Sequence, residues 1–303
     1  MQQRVAVIGT GIMGAPMARN LLRVAPSVTV FDVDAARTAE LAADGAVVAP
    51  TPATAAAAAD VVVLSLPGVE VVEAVLFDAD GVAAGARPGT IVVDTSTSVP
   101  TRSAEQAARL AERGIDLLDA PVSGGRAGAE QATLSIMVGG PAATLERARP
   151  VLEALGSRIT HLGAAVGAGG YAKLVNQIFV SIHFAAIAEG LTFAQRAGLD
   201  VEQLVPALQA GWASSTVLGV KAPQILDRAF DRPIGTVAVQ HKDLRYINDT
   251  AAELGMELPF SSRLLGMYDE LLAEGKAGLD QLALIELFER AAGVTVQRRR
   301  PPG

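Results

Sequence analysis

A short apolar run, Val5–Ile8, passes directly into Gly9-Thr10-Gly11-Ile12-Met13-Gly14, and a helical pattern over Met13–Val24 begins before the glycines end. No other feature constrains this chain as tightly. A strand that turns into a helix within so few residues needs backbone that only glycine supplies. In a GxGxxG sequence the first glycine permits the tight turn. The second lets the backbone come close to a pyrophosphate, and the third lets helix and strand pack together. The amides and dipole at the start of the helix favour negative charge there. The same six residues alone also fit a connection that binds nothing; the strand before and the helix after favour a dinucleotide cradle.

A second candidate strand, Val28–Asp32, ends on a carboxylate eighteen positions beyond Gly14. A carboxylate at that place accepts hydrogen bonds from ribose hydroxyls and repels a 2′-phosphate, so NAD is favoured over NADP. Asp34 adds to the repulsion, whereas Arg37 is placed to bind that phosphate. A loop carboxylate or helix cap is the alternative reading of Asp32.

Further short Val- and Ile-rich runs follow at Val61–Ser65, Thr90–Asp94, Ile115–Asp119, Leu134–Val138 and Ile159–His161. Helical segments lie between them, at Pro52–Ala59, Thr101–Glu112 and Ala142–Leu155. This alternation predicts a doubly wound α/β sheet of the Rossmann type over residues 1–163. Past the glycine-rich stretch Gly163–Gly170 the strand signals stop. Helices are predicted at Tyr171–Gly198, Val201–Gln209, Val217–Asp227, Val239–Leu254, Ser261–Glu274 and Asp280–Arg290. Residues 164–303 therefore read as an all-α domain opened by a long interdomain helix.

Composition narrows the function classes. The chain has 303 residues, 50% of them hydrophobic, and a formal net charge of −7. That balance disfavours nucleic acid as a partner. The one basic run, Arg298–Arg300, adjoins Pro301 and Pro302 and reads as a solvated tail. There is no cysteine, and the three histidines, His161, His183 and His241, lack metal-ligand spacing. No metal site is expected, and the absence of cysteine fits a reducing cytoplasm. Apolar stretches are interrupted by charge, Gly or Pro before reaching ~18 residues, so no membrane span is expected. The N-terminus enters its first strand at once, which is unlike a signal peptide.

Four more segments carry a resemblance: Leu64-Ser65-Leu66-Pro67, Asp94-Thr95-Ser96-Thr97, Asp119-Ala120-Pro121-Val122-Ser123-Gly124-Gly125, and Gly169-Gly170-Tyr171-Ala172-Lys173-Leu174-Val175-Asn176. With the N-terminal glycines, and in this order over almost the whole chain, they resemble the β-hydroxyacid dehydrogenases. That family includes 3-hydroxyisobutyrate dehydrogenase, tartronate semialdehyde reductase and relatives of 6-phosphogluconate dehydrogenase. The resemblance implies that Lys173 is the general acid/base and that Asn176 orients the substrate. It implies that Ser123, Gly124 and Gly125 hold a substrate carboxylate. Leu66, Pro67 and Thr97 would line the cofactor cleft beside Gly9, Thr10, Gly11, Ile12, Met13, Gly14 and Asp32. Lys242, in His241-Lys242-Asp243-Leu244, matches the family's C-terminal Lys-Asp element. Two places depart from the pattern. Glu130-Gln131-Ala132-Thr133 lacks the usual glycine, and Ile234–Val239 lacks the usual aromatic residue. Both bear on which substrate is taken, not on the reaction.

The residues agree with that chemistry on their own terms. Oxidising an alcohol to a carbonyl needs a hydride acceptor and a base for the hydroxyl proton. A lysine desolvated in a cleft beside a positive charge titrates towards roughly 7–8. Lys173 and Asn176 are three apart and share a helix face. Backbone amides at Ser123-Gly124-Gly125 suit a carboxylate, to which Arg126 could add one charge. A lone helix lysine is otherwise usually a surface group; His183 reads as a core or interface residue, Trp212 as packed, and His241 as lying on a helix surface. An imine reductase on the same scaffold usually carries another residue where Lys173 stands. A non-catalytic cofactor-binding module would usually carry appended domains and often lose that lysine. The long apolar helix would expose too much surface alone, so a homodimer or homotetramer is expected.

Overall fold

A computed structural model of the chain describes residues 1–298. The chain divides into two compact units, Met1–Lys173 and Leu174 onward.

In the first unit the strands are β1 (Val5–Ile8), β2 (Val28–Phe31), β3 (Val47–Val48), β4 (Val61–Leu64), β5 (Ile91–Asp94), β6 (Asp116–Asp119), β7 (Val122–Ser123), β8 (Ser135–Gly139) and β9 (Arg158–Gly163). They form one sheet in the order β3-β2-β1-β4-β5-β6-β8-β7, with β9 paired to β8. The run from β3 to β6 is parallel, whereas β8 is antiparallel to β6 and β7. The helices are α1 (Gly14–Leu22), α2 (Ala35–Ala43), α3 (Pro52–Ala57), α4 (Val69–Phe77), α5 (Val82–Gly85), α6 (Pro100–Ala111), α7 (Gly125–Glu130) and α8 (Ala142–Glu153).

The near-continuous Val and Ile content of the strands follows from burial on both faces. Val5, Val7, Val61 and Val63 pack with Met17, Leu21 and Leu152. Their alternate neighbours Ala6, Ile8, Val62 and Leu64 pack with Leu76 and Leu110 on the opposite side. Register then sets the position of everything functional. Ile8 pairs with Phe31 and Leu64, Leu64 with Asp94, and Asp94 with Asp119. The carboxyl ends of five strands therefore form one line. The loops leaving that line contain Gly9, Asp32, Leu66, Thr97 and the Ala120–Pro121 link, the edge at which open α/β sheets bind ligands.

Helix α9 (Ala168–Arg196) opens at the end of the first unit. It is followed by α10 (Val201–Gln209), α11 (Thr216–Leu226), α12 (Val237–Glu253), α13 (Pro259–Ala273), a 3-10 turn (Gln281–Leu284) and α14 (Ile285–Ala292). The expected single helix over Asp280–Arg290 is thus a 3-10 turn running into α14. Side-chain caps start several of these helices: Asp200 accepts from the amides of Glu202 and Gln203, Ser215 from Leu218, and Thr236 from Val239. Among the described residues the second unit holds no named strand, as expected, only a bridge between Thr236 and Asp280.

Helix α9 bears on the expected absence of a membrane span. It is long and apolar enough to cross a membrane by length and composition. The sequence pattern treats Lys173 and Glu189 as interruptions, but two charges leave an apolar average intact. Some of its polar residues bond within the protein: Ser181 is fully buried and accepts a hydrogen bond from Gln240 at 2.6 Å, and Thr192 donates to the Ala188 carbonyl. Of the basic tail, Arg298 is not simply solvated; it pairs with Asp227 at 2.6 Å and with Glu202. Arg299 to Pro302 lie outside the described residues.

Candidate active site

The three glycines of the first turn are needed for three different reasons. Gly9 has φ +88°, and a Cβ there would collide with the carbonyl of Ser65. A Cβ at Gly14 would collide with the carbonyl of Gly9, so α1 could not approach β1 as it does. A Cβ at Gly11 would meet only the Arg37 guanidinium, at 3.8 Å. The backbone at Gly11 is therefore open on the side where a phosphate would lie. Met13 caps α1 without a side-chain hydrogen bond, and no acidic residue occupies its first turn. This cradle fits a dinucleotide pyrophosphate.

Asp32 follows β2 and is turned into the cradle. Its Oδ2 accepts from the Thr10 amide at 2.7 Å, with the Thr10 hydroxyl at 3.3 Å, and its Oδ1 accepts from the Asp34 amide at 2.9 Å. Asp34 itself caps α2 through the Ala36 amide. Arg37 lies 3.7 Å from Asp32 and 3.4 Å from Asp34, and its side chain is 53% exposed. So the two acids expected to repel a 2′-phosphate have a cation beside them.

The loop after β4 is fastened to the loop after β5. The Leu66 amide donates to Ser96 Oγ at 3.0 Å, Ser96 in turn donates its amide to Asp94 Oδ1 at 3.0 Å, and Thr95 Oγ1 donates to the Leu64 carbonyl. Leu66 thereby rests against Gly9, with Pro67 exposed beyond it and Thr97 half-buried in the neighbouring loop.

Beyond β6 the chain passes through β7 into the Ser123-Gly124-Gly125 turn. Gly124 has φ +137° and Gly125 φ +62°, values that L side chains rarely adopt, and the turn opens α7. Arg126 does not face this turn as a spare charge; it pairs with Glu130 at 2.7 Å. Lys173, 9% exposed, donates from Nζ to the Val122 carbonyl at 2.8 Å. The buried Lys173 Nζ and the glycine turn therefore meet at consecutive residues, 122 and 123.

In the second unit, Asn176 Nδ2 donates to Gln177 Oε1 at 2.8 Å, and Gln177 Nε2 donates to Asp243 Oδ2 at 2.6 Å. Lys242 Nζ lies 3.2 Å from Asp243 Oδ1 and 5.2 Å from the centre of the Tyr246 ring. Asn176 and Lys242 are thus linked through Gln177 and Asp243. Asp243 belongs to the Lys-Asp element read in the sequence, whereas Gln177 is not singled out there and its only local signal is that it adjoins Asn176. His241 pairs with Asp269 at 2.8 Å on a helix surface, as expected. Trp212, expected to pack, is fully exposed.

The chain matches known proteins along nearly its whole length. Residues 4–163 match the family described as the NAD binding domain of 6-phosphogluconate dehydrogenase. Residues 167–288 match the family described as NAD-binding of NADP-dependent 3-hydroxyisobutyrate dehydrogenase. The chain is 37% identical to 2-hydroxy-3-oxopropionate reductase of Escherichia coli K12, over 95% of this chain and 98% of that one. A solved 3-hydroxyisobutyrate dehydrogenase from Salmonella typhimurium has a TM-score of 0.87 at 32% identity, covering 94% of this chain and 99% of its own. The Mycobacterium tuberculosis 3-hydroxyisobutyrate dehydrogenase solved with L-serine has a TM-score of 0.85 at 36% identity, covering 95% and 99%. A Streptomyces aurantiacus imine reductase, at TM-score 0.65 and 24% identity over 94% and 99%, shares the fold.

Proposed function

The chain belongs to the β-hydroxyacid dehydrogenase family, and on that premise we propose that it passes a hydride between NAD and a small β-hydroxy acid with Lys173 as the general acid/base. The observation that carries the assignment of roles is the contact of Lys173 Nζ with the Val122 carbonyl at 2.8 Å, one residue before the Ser123 turn. NAD, bound along Gly9–Gly14, supplies the hydride acceptor at its nicotinamide.

The chain's own residues do the rest. Amides of Ser123, Gly124 and Gly125 bind one carboxylate, with no side chain to block its approach at the two glycines. The unprotonated Lys173 amine takes the proton of the substrate hydroxyl as the carbinol C–H bond breaks. In the reverse direction the ammonium returns that proton to the carbonyl oxygen. The Val122 carbonyl keeps Nζ at the turn instead of letting it extend to solvent. Asn176, oriented through Gln177 and Asp243, offers its amide to the substrate. Small acids with the hydroxyl on the β carbon fit one carboxylate site and one proton site: 3-hydroxyisobutyrate, 3-hydroxypropionate, glycerate and L-serine.

The test compares each acid with its methyl ester or amide, following NADH absorbance. Loss of charge-assisted hydrogen bonds costs ~1.5–3 kcal/mol each, so kcat/KM should fall more than about tenfold on the neutral analogues. Equal rates on them defeat carboxylate recognition, and preferred turnover of cyclic imines would move the enzyme to the imine reductases.

The same reading takes the assembly as a homodimer or homotetramer. Val175, Phe179 and Phe193 on α9 are 52%, 64% and 75% exposed. Val175 and Phe193 are about five helical turns apart, so they lie on one stripe that a second copy would cover. A molecular mass in solution equal to one chain would contradict this.

A further inference from the structure

Asp119, at the end of β6, has no counterpart among the roles assigned above. The residue is 3% exposed, and its Oδ2 accepts from the Gly170 amide in the first turn of α9 at 2.6 Å. The amides of Gly167 and Gly169 are also directed at it. Oδ1 is buried without a hydrogen-bond partner. The cavity is cut to this side chain. A Cβ at Gly139 would collide with Oδ1, and a Cβ at Gly169 would come within 3.0 Å of Oδ2. Gly139 and Gly169 therefore leave room for a charged group that burial alone disfavours.

Gly170, which Asp119 holds, lies three positions before Lys173; Asp119 likewise lies three positions before Val122, which Lys173 holds. One short segment thus grips α9 at its N-terminal turn and again, one turn later, at the ammonium. We propose that Asp119 is a positioning residue: its carboxylate fixes the first turn of α9 so that Lys173 Nζ is presented at the Ser123 turn, and its negative charge favours the ammonium form of that amine. This rests on the reading of Lys173 as the acid/base.

Other charges around β6 are accounted for. Asp94 is the in-register neighbour on β5 and accepts from Ser96; β8 contributes no charged residue. On α6, Arg102 pairs with Glu105 and Arg109 with Glu73. On α8, Arg147 is held by Asp116 at the far end of β6, Arg149 pairs with Glu146, and Glu153 ends the helix. His161 on β9 is bound to the Gly140 carbonyl.

The deciding variant is Asp119→Asn, which keeps one acceptor for Gly170 but loses the charge and replaces the other oxygen with a donor, weakening the hold on the Gly167 and Gly169 amides. With Lys173→Ala first shown to lose about 10²–10⁴-fold in kcat, the reading beneath is secured separately. Asp119→Asn should then lower kcat about tenfold or more, leave KM for NAD within about twofold, and not lower the urea midpoint at pH 8. The acid limb of kcat/KM for oxidation should move to lower pH by roughly half a unit, because a nearby negative charge no longer favours the ammonium. Asp119→Glu, too long for the glycine cavity, should not restore kcat. An acid limb that stays where it is in Asp119→Asn overturns the proposal, whatever happens to kcat.

Discussion

The carboxylate of Asp32 accepts a hydrogen bond from the amide of Thr10 at 2.7 Å and so holds the glycine turn together from the end of the next strand. The residue expected to meet the ribose therefore also shapes the phosphate cradle. Turnover with NAD should exceed turnover with NADP by about tenfold in kcat/KM, a difference of ~1.4 kcal/mol. Asp32→Ala should narrow that ratio but raise KM for both cofactors, because the Thr10 amide loses its acceptor. A clear preference for NADP in the parent enzyme would reverse the assignment of Asp32.

Arg37 limits this preference. Its guanidinium lies 3.7 Å from Asp32 and beside the open face of Gly11. Arg37 itself is half-exposed, as is its second partner Asp34, and ion pairs open to solvent in this way contribute modestly. Arg37→Ala should widen the NAD:NADP ratio by about two- to fivefold, chiefly through KM for NADP. An unchanged ratio would show that Arg37 serves only to cap the charges of Asp32 and Asp34.

Lys173→Ala should reduce kcat by about 10²–10⁴-fold, the range that general acid/base groups supply. NAD binding, measured by fluorescence titration, should survive, because Gly9, Gly11 and Gly14 make no use of the lysine. Near-normal turnover in this variant would remove the proposed mechanism.

The parts of this molecule legible in the sequence are those whose signal is local. Val5–Ile8 and Val61–Leu64 are apolar at every position because both faces of a central parallel strand are buried. Gly9 and Gly14 announce their turn because a Cβ at either would collide with backbone, and Gly11 because a side chain there would stand where a phosphate approaches. The Ser123–Gly125 segment is legible as a turn, but β7 is not, since two residues show no periodicity. Asp34 reads as a charge facing a phosphate, while the structure uses it as a helix cap. Asp119 is legible only as the first residue of the Asp119–Gly125 segment. Its role as a holder of Gly170 depends on the cavity left by Gly139 and Gly169, and no sequence pattern shows that contact.

Ala132 lies in the stretch Glu130–Thr133 that lacks the family's usual glycine, and it adopts φ +55°. The left-handed conformation costs a residue with a Cβ ~1–2 kcal/mol, part of which glycine returns through its freer unfolded state. Ala132→Gly should stabilise the protein by about 0.5–1 kcal/mol in urea unfolding, with kcat within about twofold of the parent. A destabilised variant would mean that the Ala132 methyl packs better than its backbone suffers.

Asp119 also sets a pH dependence of stability. Burial pushes its carboxyl up to about 6 from 3.8, against the opposing amides of Gly167, Gly170 and Gly169. A raised value means that the folded state holds the proton more tightly than the unfolded chain. Its stabilising contribution is thus fully present below pH ~4 and is lost as pH rises through about 6. At neutral pH the buried charge costs on the order of 2–3 kcal/mol. The asparagine side chain of Asp119→Asn carries no charge at any pH. The stability of that variant relative to the parent should therefore improve by that amount between pH 4 and pH 8, as urea midpoints at the two pH values would measure. The gain would coincide with the loss of kcat described above, so the buried charge would lower stability while serving the reaction. A difference between parent and variant that stays flat from pH 4 to pH 8 would place the Asp119 carboxyl at its ordinary value, and the cost ascribed to its burial would not exist.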